Sequence, residues 1–219
     1  MHRLLLVIAL LPGFAACQRE VGEGDVVTYL RARPAADRER LVRQVEPPAE
    51  NTKLVRRGDA PLTLLGNTLD LGDAMPEVAL FDAKLGKIDL AAYRGKLVVF
   101  SVVPSIDTRV CEIQTHKVSD VIPRLPEGTA VFTVSRDLPF AQQRFKEEAL
   151  TQTLMGSDYH GGSFGRGFGI EIKETGLLAR SVWVIGTDGK IAYREIVADQ
   201  GNEPNYDALV EAVKRIAGT

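Results

Sequence analysis

The order of apolar and polar positions predicts several strands in the first half of the chain. The segment TKLVRRGDAPLTLLG has two β-like runs around a turn signal at residues 58–61, which predicts a hairpin. The segments EVALFD and GKIDL come next, on either side of residues 84–86. The continuous apolar run KLVVFSVV, residues 96–103, is typical of a buried strand.

From residue 111 onwards, strand patterns alternate with helical ones. Apolar spacing predicts helices over residues 111–125, 139–150 and 206–218, and strands over residues 129–135, 181–186 and 190–197. In the first of these helices, the apolar face is expected to consist of Ile113, Val118, Val121 and Ile122. The glycine-rich stretch HGGSFGRGFG lacks the ending of a phosphate-binding loop and is interpreted as a flexible connection. This alternation predicts an α/β sheet with helices on both faces.

The N-terminal residues have the pattern of a signal peptide. Arg3 precedes an apolar run over residues 4–11, which is too short to span a membrane, and small residues then lead to Cys17. The tail Phe-Ala-Ala-Cys resembles a bacterial lipobox, although Phe14 replaces the usual aliphatic residue. We therefore expect export to the periplasmic side of a bacterial membrane, with lipid attached to Cys17. Cleavage without lipidation and a plain membrane anchor are the alternatives.

Composition supports an ordinary globular domain behind this signal. The 219 residues carry a net charge of −2, which favours neither nucleic acid nor an acidic partner. Residues from Gln18 to about Asn51 are polar, charged and proline-containing, as in a tether. The predicted organisation is a signal peptide at 1–16, a lipidated cysteine and tether at 17–51, and a domain at 52–219. The three histidines are too scattered for a metal site, and no cofactor is expected.

The second of the two cysteines has a setting that suggests chemistry. A strand ends at Val103, Pro104 interrupts it, and a helix is predicted to begin near Thr108, which places Cys111 in the first helical turn. The unpaired N–H groups and the dipole of a helix N-terminus favour a thiolate there. The Thr108 hydroxyl, three residues earlier, is within reach of the sulfur. A buried cysteine that serves only as a small hydrophobic residue is the alternative, and the local pattern does not decide between the two.

The same residues resemble a known family. The pattern P-x-x-x-T-x-x-C, formed by Pro104, Thr108 and Cys111, resembles the peroxidatic signature of peroxiredoxins. The segments PSIDTRVC and SRDLPFAQQRF resemble the thiol peroxidase subgroup, and GLLAR resembles its segment that carries a catalytic arginine, here Arg180. The resemblance runs from about Thr52 to the C-terminus. It implies a thioredoxin-like α/β fold with an N-terminal β-hairpin.

The resemblance also implies a reaction and a role for each residue. Hydrogen peroxide and organic hydroperoxides would be the substrates, and Cys111 would attack one peroxide oxygen as a thiolate. Arg180 would stabilise the thiolate and the charge that develops on oxygen. Without the motif, a surface ion pair would be the simpler explanation of this arginine. Thr108 would hold the peroxide in line, and Pro104 would shield the thiolate from water. A homodimer is expected from the family.

One position departs from the family pattern. The helix after DLPFAQ carries a second, resolving cysteine in the family, and this chain has Lys146 there. Cys17 is no substitute if it carries lipid. The expected cycle therefore uses one cysteine, with Cys111 oxidised to a sulfenic acid and reduced by an external thiol or a thioredoxin-like reductant. Arg109 replaces a small residue of the family and either assists Cys111 or, more simply, is solvated.

Two functions of other classes remain as alternatives. The chain would be a peroxide sensor if the sulfenic acid were passed to a partner as a signal. It would be a binding or scaffold module if turnover had been lost with the resolving cysteine. The joint presence of Pro104, Thr108, Cys111 and Arg180 argues against a scaffold, which needs none of them.

Overall fold

The computed structural model of the chain describes residues 49–218. The strands of this part are β1 (Glu50–Arg57), β2 (Ala60–Leu65), β3 (Val98–Val102), β4 (Ala130–Ser135), β5 (Leu154–Ser157), β6 (Glu171–Ile172), β7 (Ser181–Ile185) and β8 (Ile191–Ile196). The α-helices are α1 (Arg109–Val121), α2 (Pro139–Ala149), α3 (Ser163–Gly167) and α4 (Tyr206–Ala217). Short 3-10 helices lie at Leu90–Tyr93 and Ile122–Arg124.

The central sheet has five strands in the order β5-β4-β3-β7-β8. Strands β3, β4 and β5 are parallel, and β7 is antiparallel to both β3 and β8. The parallel connections run through α1 and α2, as a crossover between parallel strands requires. All five residues of β3 are buried, because this strand lies in the middle of the sheet and is covered on both faces.

Side chains of the central strands alternate between two apolar layers. One layer contains Phe100, Phe132 and Trp183, and the short helix α3 covers it with the fully buried Phe164. The rings of Phe100 and Phe164 meet edge to face, with their centroids 5.2 Å apart. The opposite layer contains the alternate strand residues, and α1 and α4 cover it.

The N-terminal hairpin forms a second, three-stranded sheet in the order β1-β2-β6. Val55 and Leu64 from this sheet are buried in the aromatic layer. On its other edge, β1 contacts the segment after β8, because the Arg56 N–H donates to the Ala198 carbonyl at 2.8 Å. Backbone hydrogen bonds therefore join the hairpin to residues 198–200.

These elements confirm most of the sequence predictions. The thioredoxin-like α/β fold with an N-terminal hairpin is present, and the predicted helices at residues 111–125, 139–150 and 206–218 correspond to α1, α2 and α4. On α1, Val118 and Val121 are buried as expected, whereas Ile113 and Ile122 are only half-buried. The polar residues Gln114 and Thr115 complete that buried face, and hydrophobic spacing did not indicate them.

Four segments differ from the sequence interpretation. EVALFD and GKIDL form no regular strand: Phe81 makes isolated bridges to Lys87 and Ser157, and the Asp82 carboxylate accepts the Lys84 N–H of a tight turn at 2.9 Å. The strand β5 was not predicted, because its short LMGS sequence has no alternation. The stretch HGGSFGRGFG is not the flexible connection that its composition suggested.

That glycine-rich stretch is part of the core. It contains α3, and its two phenylalanines, Phe164 and Phe168, are fully buried with stacked rings 4.3 Å apart. The buried carboxylate of Asp158 accepts the N–H groups of Phe164 at 2.9 Å and Gly165 at 3.0 Å. Burial raises the pKa of Asp158, and these bonds and Arg136 oppose that rise. Local composition suggested a loop, but aromatic burial and this cap hold the segment in place.

The predicted signal peptide, Cys17 and nearly all of the tether lie outside the described residues. Across residues 49–218, no helix has the length and apolar character needed to cross a bilayer. The same range contains no group of three or more histidine, cysteine, aspartate or glutamate side chains arranged to hold a metal ion.

Candidate active site

Helix α1 begins close to the thiol. Thr108 is its N-cap residue and has an extended backbone, and Cys111 is the third residue of the helix. The Thr108 side chain does not cap the helix. Its hydroxyl instead donates to the Cys111 sulfur, with Oγ1 and Sγ 2.8 Å apart. The predicted pairing of the hydroxyl and the thiol is thus present, and the helix start has one fewer side-chain cap as a result.

The thiol itself is buried. Cys111 has 0% of its surface exposed, whereas Thr108 is exposed beside it. Apolar side chains form one wall around the sulfur: Val103 and Ile106 are buried against Cys111, and Ala141, Phe145 and Met155 pack against this group from α2 and β5. The sulfur therefore has an apolar side and a polar side, and the polar side comes from Thr108 and the arginine described next.

Arg180 contacts the sulfur although it lies 69 residues after Cys111 in the sequence. It immediately precedes β7, is only 2% exposed, and places Nη2 3.4 Å from Cys111 Sγ. A buried guanidinium needs acceptors for its N–H groups. Nη1 donates to Gln114 Oε1 at 2.7 Å, and Nε donates to the Gln200 carbonyl at 3.2 Å. These acceptors orient the guanidinium and leave Nη2 directed at the sulfur.

Gln114 and Gln200 were missed by the sequence analysis. Gln114 is fully buried, and its Nε2 donates to Ser101 Oγ at 2.9 Å, so the amide is bonded on both sides. Its burial could have been predicted from helical spacing, because Gln114 lies four residues before Val118 and seven before Val121 on the same helix face. Gln200 lies in a loop after β8, and its sequence context contains no pattern that indicates contact with Arg180.

Asp137 is a third residue that the sequence analysis did not single out. It follows β4, and its carboxylate accepts the Ser105 hydroxyl at 2.8 Å and the Ile106 N–H at 2.8 Å. Both bonds hold the loop between β3 and α1, which contains the half-buried Pro104. The structure therefore brings Pro104, Thr108, Cys111 and Arg180 to one end of the central sheet, at the carboxyl end of β3.

Glu203 is an acidic neighbour of Arg180. Burial works against ionisation of Glu203, but hydrogen bonds from Tyr206 and Lys117, with attraction to Lys117 and Arg180, hold its pKa below the usual value. Burial, the bond to Glu203 and the negative charge nearby raise the pKa of Tyr206. Glu203 is thus an anion near Arg180, and it also binds Lys117 of α1 at 2.9 Å.

The remaining predicted positions lie away from the sulfur or outside the described residues. Arg109 is exposed on the first turn of α1, which agrees with the simpler interpretation of a solvated arginine. Lys146 is half-buried in the last turn of α2. Cys17 lies outside residues 49–218. A surface groove bordered by residues 75–79 and 87–91 includes none of the predicted site residues. Polar groups converge on Cys111 instead, which makes it the candidate site.

Comparison with known proteins agrees with this geometry. The Redoxin family model matches residues 70–210. The thiol peroxidase of Listeria monocytogenes serotype 4b (strain F2365) is 42% identical over 156 residues, which cover 71% of this chain and 94% of that protein. The thiol peroxidase of Bacillus subtilis (strain 168) is 40% identical over 157 residues, covering 71% and 93%. The crystal structure of a peroxiredoxin-like protein from Aquifex aeolicus has a TM-score of 0.70 at 35% identity and covers 76% of this chain and 98% of that one.

Proposed function

Since this chain belongs to the Redoxin family and is a peroxiredoxin enzyme with thiol-dependent peroxidase activity, we propose that it reduces hydrogen peroxide and organic hydroperoxides through the single thiol of Cys111. An external thiol completes the cycle. The observation that supports this proposal is the convergence of two donors on one sulfur, Thr108 Oγ1 at 2.8 Å and Arg180 Nη2 at 3.4 Å. Both donors are placed to stabilise the negative charge that the sulfur carries when it attacks as a thiolate.

In the proposed oxidation step, the Cys111 thiolate attacks the nearer oxygen of a hydroperoxide. The S–O bond forms while the O–O bond breaks, which yields a sulfenic acid and an alkoxide or hydroxide that takes up a proton to leave as alcohol or water. Arg180 lies beside the sulfur and stabilises the negative charge as it moves from sulfur to oxygen. Thr108 holds the peroxide in line, and Pro104 limits access of water to the thiolate.

In the proposed reduction step, an external thiol attacks the Cys111 sulfenic acid. This attack forms a mixed disulfide and releases water, and a second thiol then exchanges with the mixed disulfide and restores the Cys111 thiol. Because Cys111 is fully buried, a thiol much larger than a peroxide gains access only after the first turn of α1 opens. The one-cysteine cycle rests on Lys146, which stands where the family has its resolving cysteine.

Peroxide consumption with a small dithiol as reductant tests the function. We expect the wild-type protein to turn over many times and Cys111→Ser to be inactive while its thermal unfolding remains cooperative. A sensor would react once without turnover, and a scaffold would not react at all. Either result for the wild type would contradict the proposal. A trapping reagent for sulfenic acid should label the oxidised wild-type protein at Cys111 only.

We also propose that the chain is exported and held by lipid on Cys17 at the periplasmic side of a bacterial membrane, and that it forms a homodimer. The support for export is the sequence alone, namely the apolar run after Arg3 and the Ala-Ala pair before Cys17. Labelled fatty acid should attach to the wild type and not to Cys17→Ser in an expressing bacterium, and an unlabelled wild type would defeat the anchor. Sedimentation at monomer mass would defeat the dimer, which rests on the family resemblance.

A further inference from the structure

Gln200 binds Arg180 at two points. Its side-chain Oε1 accepts the Arg180 backbone N–H at 2.5 Å, and its backbone carbonyl accepts Arg180 Nε–H at 3.2 Å. Gln200 is 7% exposed, and its own Nε2 donates to the Val197 carbonyl at 2.6 Å. The amide is therefore bonded on both sides, and its orientation is determined by these partners.

The two contacts act on different parts of the arginine. The bond to the backbone N–H holds the point from which the side chain leaves the main chain, and the bond to Nε holds the inner edge of the guanidinium plane. With Nη1 bonded to Gln114, the remaining donor, Nη2, is the one that reaches Cys111. The direction of Nη2 thus depends on Gln200 as well as on Gln114.

Gln200 is in turn held by the N-terminal hairpin. Its backbone N–H donates to the Arg56 carbonyl of β1 at 2.9 Å, and the Arg56 N–H donates to the Ala198 carbonyl at 2.8 Å. The Arg56 guanidinium pairs with Asp199 at 3.2 Å. The segment 198–200 is therefore bonded to β1 on one side and to Arg180 on the other.

We propose that Gln200 is a positioning residue of the peroxidase reaction. It orients Arg180 toward the Cys111 sulfur and connects Arg180 to the N-terminal hairpin. This inference rests on the proposed function, because it assigns Gln200 an effect on the reaction that Arg180 assists. Within residues 49–218, the hydrogen bonds to the Cys111 sulfur come from Thr108 and Arg180 and not from Gln200. Its effect is exerted entirely through Arg180.

The test is the second-order rate constant for oxidation of Cys111 by hydrogen peroxide in single-turnover experiments. Gln200→Met preserves the side-chain length but removes the acceptor of the Arg180 N–H. We expect this rate constant to fall about tenfold or more, because a displaced Arg180 guanidinium stabilises the transition state less well. The rate of alkylation by iodoacetamide, which does not require cleavage of an O–O bond, should change less than about threefold.

A matched control separates this effect from a general loss of packing. Gln142 is also a buried glutamine, 1% exposed, and its Nε2 donates to Ser135 Oγ at 2.8 Å without contacting Arg180. Gln142→Met should lower thermal stability by an amount comparable to Gln200→Met and leave the ratio of the peroxide and iodoacetamide rates unchanged. If Gln200→Met does not fold, Gln200→Asn keeps the amide but withdraws it from Arg180, and the same fall in the ratio is expected.

A double-mutant cycle provides the decisive result. In an Arg180→Ala background, Gln200→Met should no longer change the peroxide rate, because the group through which it acts is absent. Additive losses in the two variants would overturn the proposal, as would a Gln200→Met protein with the wild-type ratio of rates. A wild-type protein that does not react with peroxide would instead contradict the proposed function, so the two failures are distinguishable.

Discussion

Helices α1 and α2 both follow strands of the central sheet, but they are attached to the fold very differently. Six residues of α1 are buried, and its first two turns contact Arg180, Ser101 and Thr108 through hydrogen bonds. Only Pro139 and Gln142 are buried on α2. Leu138 and Phe140, at the start of α2, are 55% and 54% exposed, and Leu150 at its end is 84% exposed.

This difference shows where the fold resists local opening. Segments with few buried apolar contacts have low local stability, so α2 should open at lower free energy than α1. The proposed nucleophile is on the firmly held helix, and the position that would carry a second thiol, Lys146, is on the weakly held one. Substitutions on the two helices and on the residues that hold them test this contrast.

Arg180→Ala should have the largest effect, because it removes the buried cation that connects α1 to β7. We expect the rate of Cys111 oxidation by peroxide to fall about 100-fold or more, as for loss of an oriented charge-stabilising donor. Stopped-flow measurement of Cys111 oxidation gives this rate. Arg109→Ala, on the exposed side of the same helix, is the matched control and should react within about threefold of wild type. Equal losses in both variants would argue against a specific role for Arg180.

Lys146→Cys uses the weak attachment of α2. Peroxide should produce an intramolecular disulfide between Cys111 and the introduced thiol, provided both helices open enough to bring the two Cα atoms within about 7 Å. The protein should lose two free thiols and the mass of two hydrogens, and thioredoxin should then support turnover with less overoxidation of Cys111. Lys146→Ser is the control and should accumulate sulfenic acid like the wild type. If the disulfide does not form at any peroxide concentration, α2 is more firmly held than its burial indicates.

Leu150→Gly should stabilise the protein through the end of α2. Leu150 has a φ of 50° in the left-handed region, where a side chain is unfavourable and glycine is not. We expect an increase of about 1 kcal/mol in the free energy of unfolding, measured by urea denaturation. Leu150→Ala removes the exposed leucine but keeps the Cβ atom, so it should not produce this gain. In the Lys146→Cys protein, Leu150→Gly should also slow disulfide formation, because α2 then opens less often.

Glu203→Gln should have the smallest effect and tests the attachment of α1. Since the folded pKa of Glu203 lies below its ordinary value of 4.5, the carboxylate contributes stability above about pH 4.5 that is lost as the pH falls through the lower, folded pKa. The variant should be less stable than wild type by under about 1 kcal/mol at pH 7, and by almost nothing near pH 3. Urea denaturation at both pH values measures this difference. Glu211→Gln, on an exposed pair of α4, is the control, and a difference that persists at pH 3 would exclude the linkage.

Features that depend on neighbouring residues could be predicted from the sequence. Apolar runs predicted β3 and β4, and the proline before Thr108 predicted where α1 begins. The contact between Thr108 and Cys111 followed because the side chain of an N-cap residue reaches the third residue of its helix. The resemblance to peroxiredoxins identified Arg180, although periodicity alone would have left it as a surface charge.

The hydrogen bonds that hold Arg180 depend on the tertiary structure. Gln114 and Gln200 contact Arg180 from 66 and 20 residues away, and no local pattern encodes a hydrogen bond over such a separation. The stretch HGGSFGRGFG illustrates the same limit, since its glycines suggest a loop while Phe164 and Phe168 are buried under the sheet. Local propensity acts over a few residues, whereas burial of a charge requires acceptors from several strands and helices at once. The position of Cys111 in its helix was therefore predictable from neighbouring residues, and its electrostatic environment only from the assembled fold.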